Sequence, residues 1–224
     1  MKLYKFRSFE NIEFTLDIIM NERLYCAQHK NLNDPFEGLF STIEWKSGIV
    51  RPVTRSVIRP VVRSVIRGNK QTVYKTLDEL PSLGNDTRVC SLSSSMVDVR
   101  MWSLYASSHS GCVIEIELDE SEELVEVRYE KGLKHFKEKL TENTAAIDVL
   151  SFKTDHWQHE NEFRIISSEE YFSVKGKITG IFLGVRTQEI HKDIVVRSTP
   201  VDIPIYDTKI DEGSVEIRPN NRVN

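Results

Sequence analysis

Residues 88–118 read RVCSLSSSMVDVRMWSLYASSHSGCVIEIEL, and three kinds of element follow one another within them. Arg88 to Leu92 is a short apolar run with strand character. The Ser93-Ser94-Ser95 cluster breaks it, and Asp98 stands where a helix N-cap belongs, ahead of apolar residues at helical spacing up to Tyr105. Gly111 closes that helix, and Cys112 to Leu118 alternates in the manner of a strand. Strand, helix and strand thus occupy about thirty residues. The same compression recurs outward. Leu3 to Phe6 reads as a strand, a helix begins at Ser8 or Asn11 with Phe14, Leu16, Ile18 and Ile19 on its apolar face, and Leu24-Tyr25 begins another strand. Further strands are expected at Glu162 to Ile166, Ile178 to Leu183 and Ile194 to Arg197, with a last one near Val201 to Tyr206. The charged stretch from Glu120 to Asn143 reads as a helix or an exposed excursion. Many strands lie too close in sequence for βαβ crossovers, so the expected class is α+β with a mixed or mostly antiparallel sheet.

At 224 residues the chain suits a single domain, residues 1–224, with a core that needs neither disulfides nor metals. No window approaches the roughly 18 uninterrupted apolar residues of a membrane span. Glu10, Glu13 and Asp17 interrupt the only stretch that resembles a leader, so a soluble, cytoplasmic protein is expected. Cys26, Cys90 and Cys112 are odd in number and widely spaced. They read as reduced, half-buried thiols, and no zinc site is expected.

The net charge of -4 conceals an asymmetry: no acidic residue stands between Glu44 and Asp78. That gap holds Lys46, Arg51, Arg55, Arg59, Arg63, Arg67, Lys70 and Lys75, and the only internal repeat, RPVTRSVI at 51–58 followed by RPVVRSVI at 59–66. As a helix the arginines form one stripe and Val53, Val57, Val61 and Val65 the opposite one, whereas as a strand both sets would share a face. Pro60 would kink a continuous helix at a cost of about 3 kcal/mol. Two short helices in a basic excursion over 49–76 are therefore expected, either a solvated face or a contact for nucleic acid or an acidic protein through Arg51, Arg55, Arg59, Arg63 and Arg67.

Five patches in order carry a resemblance. They are Leu3-Tyr4-Lys5-Phe6-Arg7-Ser8; Leu24-Tyr25 with Asn31-Leu32-Asn33-Asp34-Pro35-Phe36-Glu37-Gly38; Val89-Cys90-Ser91-Leu92 with Met101-Trp102-Ser103-Leu104-Tyr105-Ala106; Trp157 with Glu160-Asn161-Glu162-Phe163-Arg164-Ile165-Ile166; and Ile181-Phe182-Leu183-Gly184. Across residues 1 to about 190 they resemble the bacterial family catalogued as domain of unknown function 2971, in which the basic repeat looks like an insertion. The opening strand and the Glu162 strand are also similar, over about a third of the chain, to NAD-dependent ADP-ribosyltransferase toxins that modify DNA. This second resemblance implies an ADP-ribosyltransferase-like fold, NAD as substrate and Glu162 as the catalytic carboxylate, in a toxin or phage-defence effector acting on nucleic acid or protein. It further implies Tyr4, Lys5 and Arg7 on the first strand, with Tyr25, Trp102 and Tyr105, around the NAD, and Asn33, Asp34 and Arg164 toward the substrate. Lys5 stands where such toxins commonly carry His.

The chemistry asks for these residue types. Loss of nicotinamide leaves an oxocarbenium-like ribose, which a nearby carboxylate stabilises, and a cation suits the pyrophosphate. Glu162 is preferred to Glu160, which precedes the apolar run and reads as a loosely oriented loop residue. Each residue also has a purely architectural reading. Glu162 and Arg164 can pair across a sheet, Trp102 and Tyr105 can be core, and Asn33-Asp34-Pro35 can serve only as a turn. His156 and His159 lack a third ligand for a metal. Two other functions are compatible with the sequence: a non-catalytic nucleotide- or partner-binding sensor or adaptor, and a nuclease-like hydrolase.

Overall fold

The computed structural model describes residues 1–46, 69–79, 87–119, 123–136 and 145–224. In chain order the elements are β1 (Lys2–Arg7), α1 (Ile12–Asn21), β2 (Arg23–Tyr25), β3 (Ala27–Gln28), β4 (Leu39–Lys46), β5 (Asn69–Thr76), β6 (Arg88–Ser93), α2 (Val99–Tyr105), β7 (Cys112–Glu117), β8 (Leu124–Glu126) and β9 (Arg128–Glu130). There follow β10 (His135–Phe136), α3 (Ala145–Leu150), β11 (Phe152–Thr154), a 3-10 helix (Asp155–Glu160), β12 (Glu162–Ser167), β13 (Tyr171–Ser173), β14 (Ile178–Leu183), α4 (Glu189–Ser198), β15 (Ile205–Asp211) and β16 (Glu216–Arg222). The fold is α+β.

One nine-stranded sheet runs β16-β15-β14-β7-β1-β6-β12-β8, with β3 added beside β6. Every pairing in it is antiparallel except β14–β15, which α4 connects. The sheet is covered on both faces, so apolar residues on either side of its central strands are buried. On β7, Val113 joins Phe6, Trp102 and Phe182 under α2, while its neighbour Ile114 joins Leu3, Ile18, Ile181 and Val195 under α1 and α4. Burying a large aliphatic or aromatic side chain in this way contributes roughly 1.5–3 kcal/mol. Gly111 explains how α2 returns to β7. A Cβ there would lie 2.1 Å from the carbonyl oxygen of Arg7, so no other residue lets the turn approach β1 so closely.

The strands expected near Leu3, Leu24, Arg88, Cys112, Glu162 and Ile178 and the helices expected near Phe14 and Asp98 are all present, and Asp98 does cap α2 by accepting the Arg100 N–H. Four readings require correction. Ile194 to Arg197 is helical, inside α4, because Val195 is buried in the core and Val196 packs half-buried against it while Asp193 and Arg197 stay toward solvent. The stretch after Glu120 contains three short strands, β8, β9 and β10, that find partners on β12, β11 and β4. The expected strand near Val201 begins only at Ile205 and continues to Asp211. The end of the expected basic helical excursion, Asn69–Thr76, is strand β5, paired along its whole length with β4. The arginine repeat itself lies outside the described residues. Among the described residues, no helix is long and apolar enough to cross a membrane.

Candidate functional site

A cleft of about 730 Å³ opens where two central strands part company. β1 pairs with β7 over all six of its residues, but with β6 at a single position, Tyr4↔Ser93. Beyond that point the Lys5 ammonium spans the gap and donates to the Ser91 carbonyl at 2.9 Å. A side chain thereby takes over a contact that a backbone ladder would otherwise make, and the sheet splays without leaving that carbonyl dry. Side chains from both faces of the sheet reach one cavity through the opening.

Register settles which residue comes from which side. Ser93 is paired to Tyr4 on one flank and to Glu162 on the other, so Tyr4, Glu162 and Arg164 share a face, the one on which α2 packs. Lys5 and Arg7 alternate with Tyr4 and lie on the α1 face. Lys5 and Arg7, expected around the same NAD as Glu162, thus stand on the opposite face of the sheet from it. They meet in one cleft only because β1 and β6 separate.

The carboxylate end is built by three connections. β12 starts after Asn161, whose left-handed conformation (φ 43°) turns the chain out of the 3-10 helix. The Ser93 hydroxyl donates to the Glu160 carbonyl at 2.6 Å and the Ser94 N–H to the Asn161 carbonyl at 2.9 Å, which pins that turn to the end of β6. β11 brings Lys153, in register with Tyr129 on β9, and the Tyr129 hydroxyl accepts the Glu162 N–H at 2.9 Å. The Asn33-Asp34-Pro35 turn brings Glu37: Asp34 Oδ1 accepts the Phe36 N–H at 2.9 Å, and its carbonyl accepts the Glu37 N–H at 3.0 Å. Turn formation is what Asp34 demonstrably does.

These elements deliver a continuous ionic chain. Arg164, 1% exposed, donates from Nε and Nη2 to the two Glu162 oxygens at 2.8 and 3.0 Å, and from Nη2 to Glu37 Oε2 at 3.0 Å. Its Nη1 reaches the other Glu37 oxygen and the Leu150 carbonyl, the latter at 2.7 Å. Lys153 bridges Glu162 and Glu160 at 3.2 and 2.6 Å, and Tyr105 donates its hydroxyl to Glu160 at 2.5 Å. Burial would raise the Glu162 carboxyl, but the Arg164 and Lys153 charges outweigh it and hold it down at about 2. At Glu37 burial wins over Arg164 and the carboxyl is raised. Burial also raises the Tyr105 hydroxyl, with Glu160 adding to it. Three carboxylates face two cations, so the floor is anionic. Their oxygens are occupied by these donors, and no group of His, Cys, Asp and Glu among the described residues is arranged to hold a metal ion.

The opposite end is arranged differently. Arg7 lies with its guanidinium carbon 5.7 Å from the centre of the Phe14 ring, its Nε is buried without a hydrogen-bond partner, and burial lowers its pKa. Among the described residues it has no salt bridge. Phe14, Tyr25 and Tyr171 form an exposed aromatic rim, and Arg23, paired to Asp17, covers the Tyr171 ring at 3.9 Å.

Of the residues expected at the site, Tyr4, Lys5, Arg7, Tyr25, Asn33, Asp34, Tyr105, Glu162 and Arg164 all line this cleft. Trp102 does not. It is fully buried, packs edge-on against Phe6 and donates its indole N–H to the Met96 carbonyl at 2.6 Å, so its position on α2 faces the core while Tyr105 faces the cleft. Glu160 is not a loose loop residue: it is 4% exposed and fixed by Tyr105 and Lys153. Arg51, Arg55, Arg59, Arg63 and Arg67 lie outside the described residues. Sequence reading missed Glu37 and Lys153 as partners. Glu37 stood within a quoted patch, but Lys153 carries no local signal, since its role depends on β11 pairing with β9. Compared with family models, curated proteins and solved structures, the chain matches none.

Proposed function

We propose that the cleft binds NAD and that the protein is an ADP-ribosyltransferase-like enzyme, a toxin or phage-defence effector of the bacterial family catalogued as domain of unknown function 2971, which its sequence resembles. The observation that carries this reading is the polarity of a single cleft. Its volume falls in the roughly 300–1,000 Å³ range of small-molecule sites. Arg7 and Lys5 at one end suit a pyrophosphate, and the carboxylates at the other suit the cationic nicotinamide ribose. In this reading the C1′–N bond breaks, nicotinamide leaves with the bonding electrons, and Glu162 stabilises the positive charge that develops on the ribose. A carboxyl held at about 2 is a weak base, so Glu162 acts here through its fixed charge rather than by taking a proton. Tyr25 and Tyr105 supply aromatic surface, and Asn33 a polar group toward the acceptor.

One observation favours the second reading, a nucleotide-binding sensor or adaptor without turnover. Both Glu162 oxygens are already engaged by Arg164 and Lys153, as they would be if the carboxylate only held strands together. Incubation with NAD labelled in the nicotinamide and in the adenosine, alone and with nucleic acids or cell lysate, separates the two. Release of nicotinamide with transfer of the adenosine label supports the enzyme, and saturable binding with no release supports the sensor. Failure of NAD to bind at all overturns both forms of the proposal.

A further inference from the structure

Directly behind the cleft wall two thiols face each other across a strand pair. β3 pairs with β6 through Ala27↔Val89 and Gln28↔Arg88, and one residue further along this antiparallel register sets Cys26 opposite Cys90. Directly opposed residues of antiparallel strands stand about 4.5–5.5 Å apart at Cα. A disulfide spans about 4.4–6.8 Å. Both cysteines are free and buried, at 0% and 1% exposure, and the Cys26 thiol donates to the Leu24 carbonyl at 3.9 Å. Cys90 also accepts a hydrogen bond from Lys5 at 3.5 Å, and Lys5, Val89, Ser91 and Ala27 all line the cleft. Lys5 thus touches both the cavity and this pair.

We propose that Cys26 and Cys90 are a redox modification site, a dithiol that a hydroperoxide converts into a cross-strand disulfide and that releases Lys5 from Cys90. The inference does not depend on NAD chemistry. The local charges assign the roles. The neighbouring Cys26 thiol comes first, and with Lys5 it outweighs burial to lower the Cys90 pKa, while the facing Cys90 sulfur and burial raise Cys26. Cys90 is the attacking sulfur. Its thiolate forms an S–O bond to the hydroperoxide, the O–O bond breaks, and the departing oxygen leaves as water (or the alcohol) with the former thiol proton. Cys26 then attacks the sulfur of the Cys90 sulfenic acid. The S–S bond forms, the S–O bond breaks, and hydroxide leaves as water with the Cys26 proton. Two thiols are oxidised by two electrons and one hydroperoxide is reduced. Cys112, fully buried and pushed by burial up to about 12, has no such partner and serves as an internal control.

The test is a thiol count on the folded full-length chain exposed to stoichiometric hydrogen peroxide, quenched and then denatured. The untreated protein should show three thiols, as in its sequence. After peroxide one should remain, with the mass reduced by two hydrogens and a peptide linking Cys26 to Cys90, and dithiothreitol should restore all three. Cys112→Ser, which leaves the pair intact, should pass from two reactive thiols to none. Retention of all three thiols by the treated wild type, or conversion of Cys90 to sulfinic acid without a linkage, overturns the proposal. The wild-type and Cys112→Ser measurements suffice even where Cys26→Ser or Cys90→Ser fails to fold.

Discussion

The two ends of the cleft solve the problem of a buried charge in opposite ways. Around Arg164 every donor that reaches a carboxylate is returned by another, from Glu37 through Glu162 and Lys153 to Glu160 and Tyr105. At Arg7 a guanidinium of the same type is drawn into the protein with its Nε unpartnered, leaning on a phenyl ring. A satisfied network fixes geometry, whereas an under-satisfied cation carries a desolvation cost that a ligand can relieve. Stability is expected to reside mainly at the first end and affinity at the second.

The largest effect should come from breaking the satisfied end. Arg164→Met leaves Glu37 and Glu162 buried side by side with Lys153 as the remaining cation. Removing one partner of a buried ion pair typically costs about 3–5 kcal/mol. For a chain of this size that is a fall in Tm of roughly 6–20 °C. Thermal unfolding followed by circular dichroism measures it, and an unchanged Tm would show that the two carboxylates do not need Arg164.

Next comes Glu162→Gln, which tests whether this end does more than hold strands. The amide keeps the shape and loses the charge, and one such electrostatic group is worth roughly 100- to 1,000-fold in turnover. NAD cleavage should fall by that factor while NAD still binds and the protein, somewhat destabilised, still folds. Glu160→Gln is expected to lose activity too, because Glu160 helps to position the Lys153 that Glu162 uses. Full NAD cleavage by Glu162→Gln would reduce the carboxylate to a purely architectural role.

Arg7→Gln sharpens the contrast from the other side. A charge-assisted hydrogen bond contributes about 1.5–3 kcal/mol, so NAD affinity should weaken by roughly 10- to 100-fold. The Tm should hold or rise, since a half-buried charge with an unpartnered Nε is removed. A clear drop in Tm with unchanged Kd, read by calorimetry, would reverse the assignment of the two ends.

The same contrast explains what could be read from the sequence. Strands whose apolar runs are bounded by turn residues, such as Cys112 to Leu118 after Gly111, were legible because their signal is local. Ile194 to Arg197 misled because β-branched residues favour strands on average, while packing of Val195 under the sheet decided otherwise. At the site, nine of the side chains expected there reach the cleft, yet the opening that unites them arises from β1 and β6 pairing at one position. No residue announces that geometry. Trp102 and Tyr105, three apart on α2, look alike in sequence and are distinguished only by which side of the helix faces the core.

The smallest expected effect lies in the pH dependence of stability, where the excess carboxylate of the satisfied end has a signature of its own. Glu162 is depressed in the folded protein, so it binds its proton less tightly there than in the unfolded chain. Its stabilising contribution is present above the ordinary carboxylate range and is lost as pH falls toward about 2. Glu37 is raised, so the folded protein holds that proton more tightly. Its contribution therefore has the opposite sign. Stability should decline as pH rises from the unfolded value near 4.5 through the raised folded value, and recover as pH falls through the same window. Other carboxylates titrate nearby, so the quantity to follow is the difference between the wild type and Glu37→Gln, in which the carboxylates that do not share Arg164 cancel. Glutamine is neutral throughout, like protonated Glu37, and should level the decline above pH 4.5 while leaving the acid loss due to Glu162. The difference in Tm should amount to a few degrees, given roughly 2–4 °C per kcal/mol in a chain of this length. Parallel curves for the two proteins from pH 4.5 to 8 would mean that Glu37 is ordinary, and that the Glu162 end carries no spare negative charge.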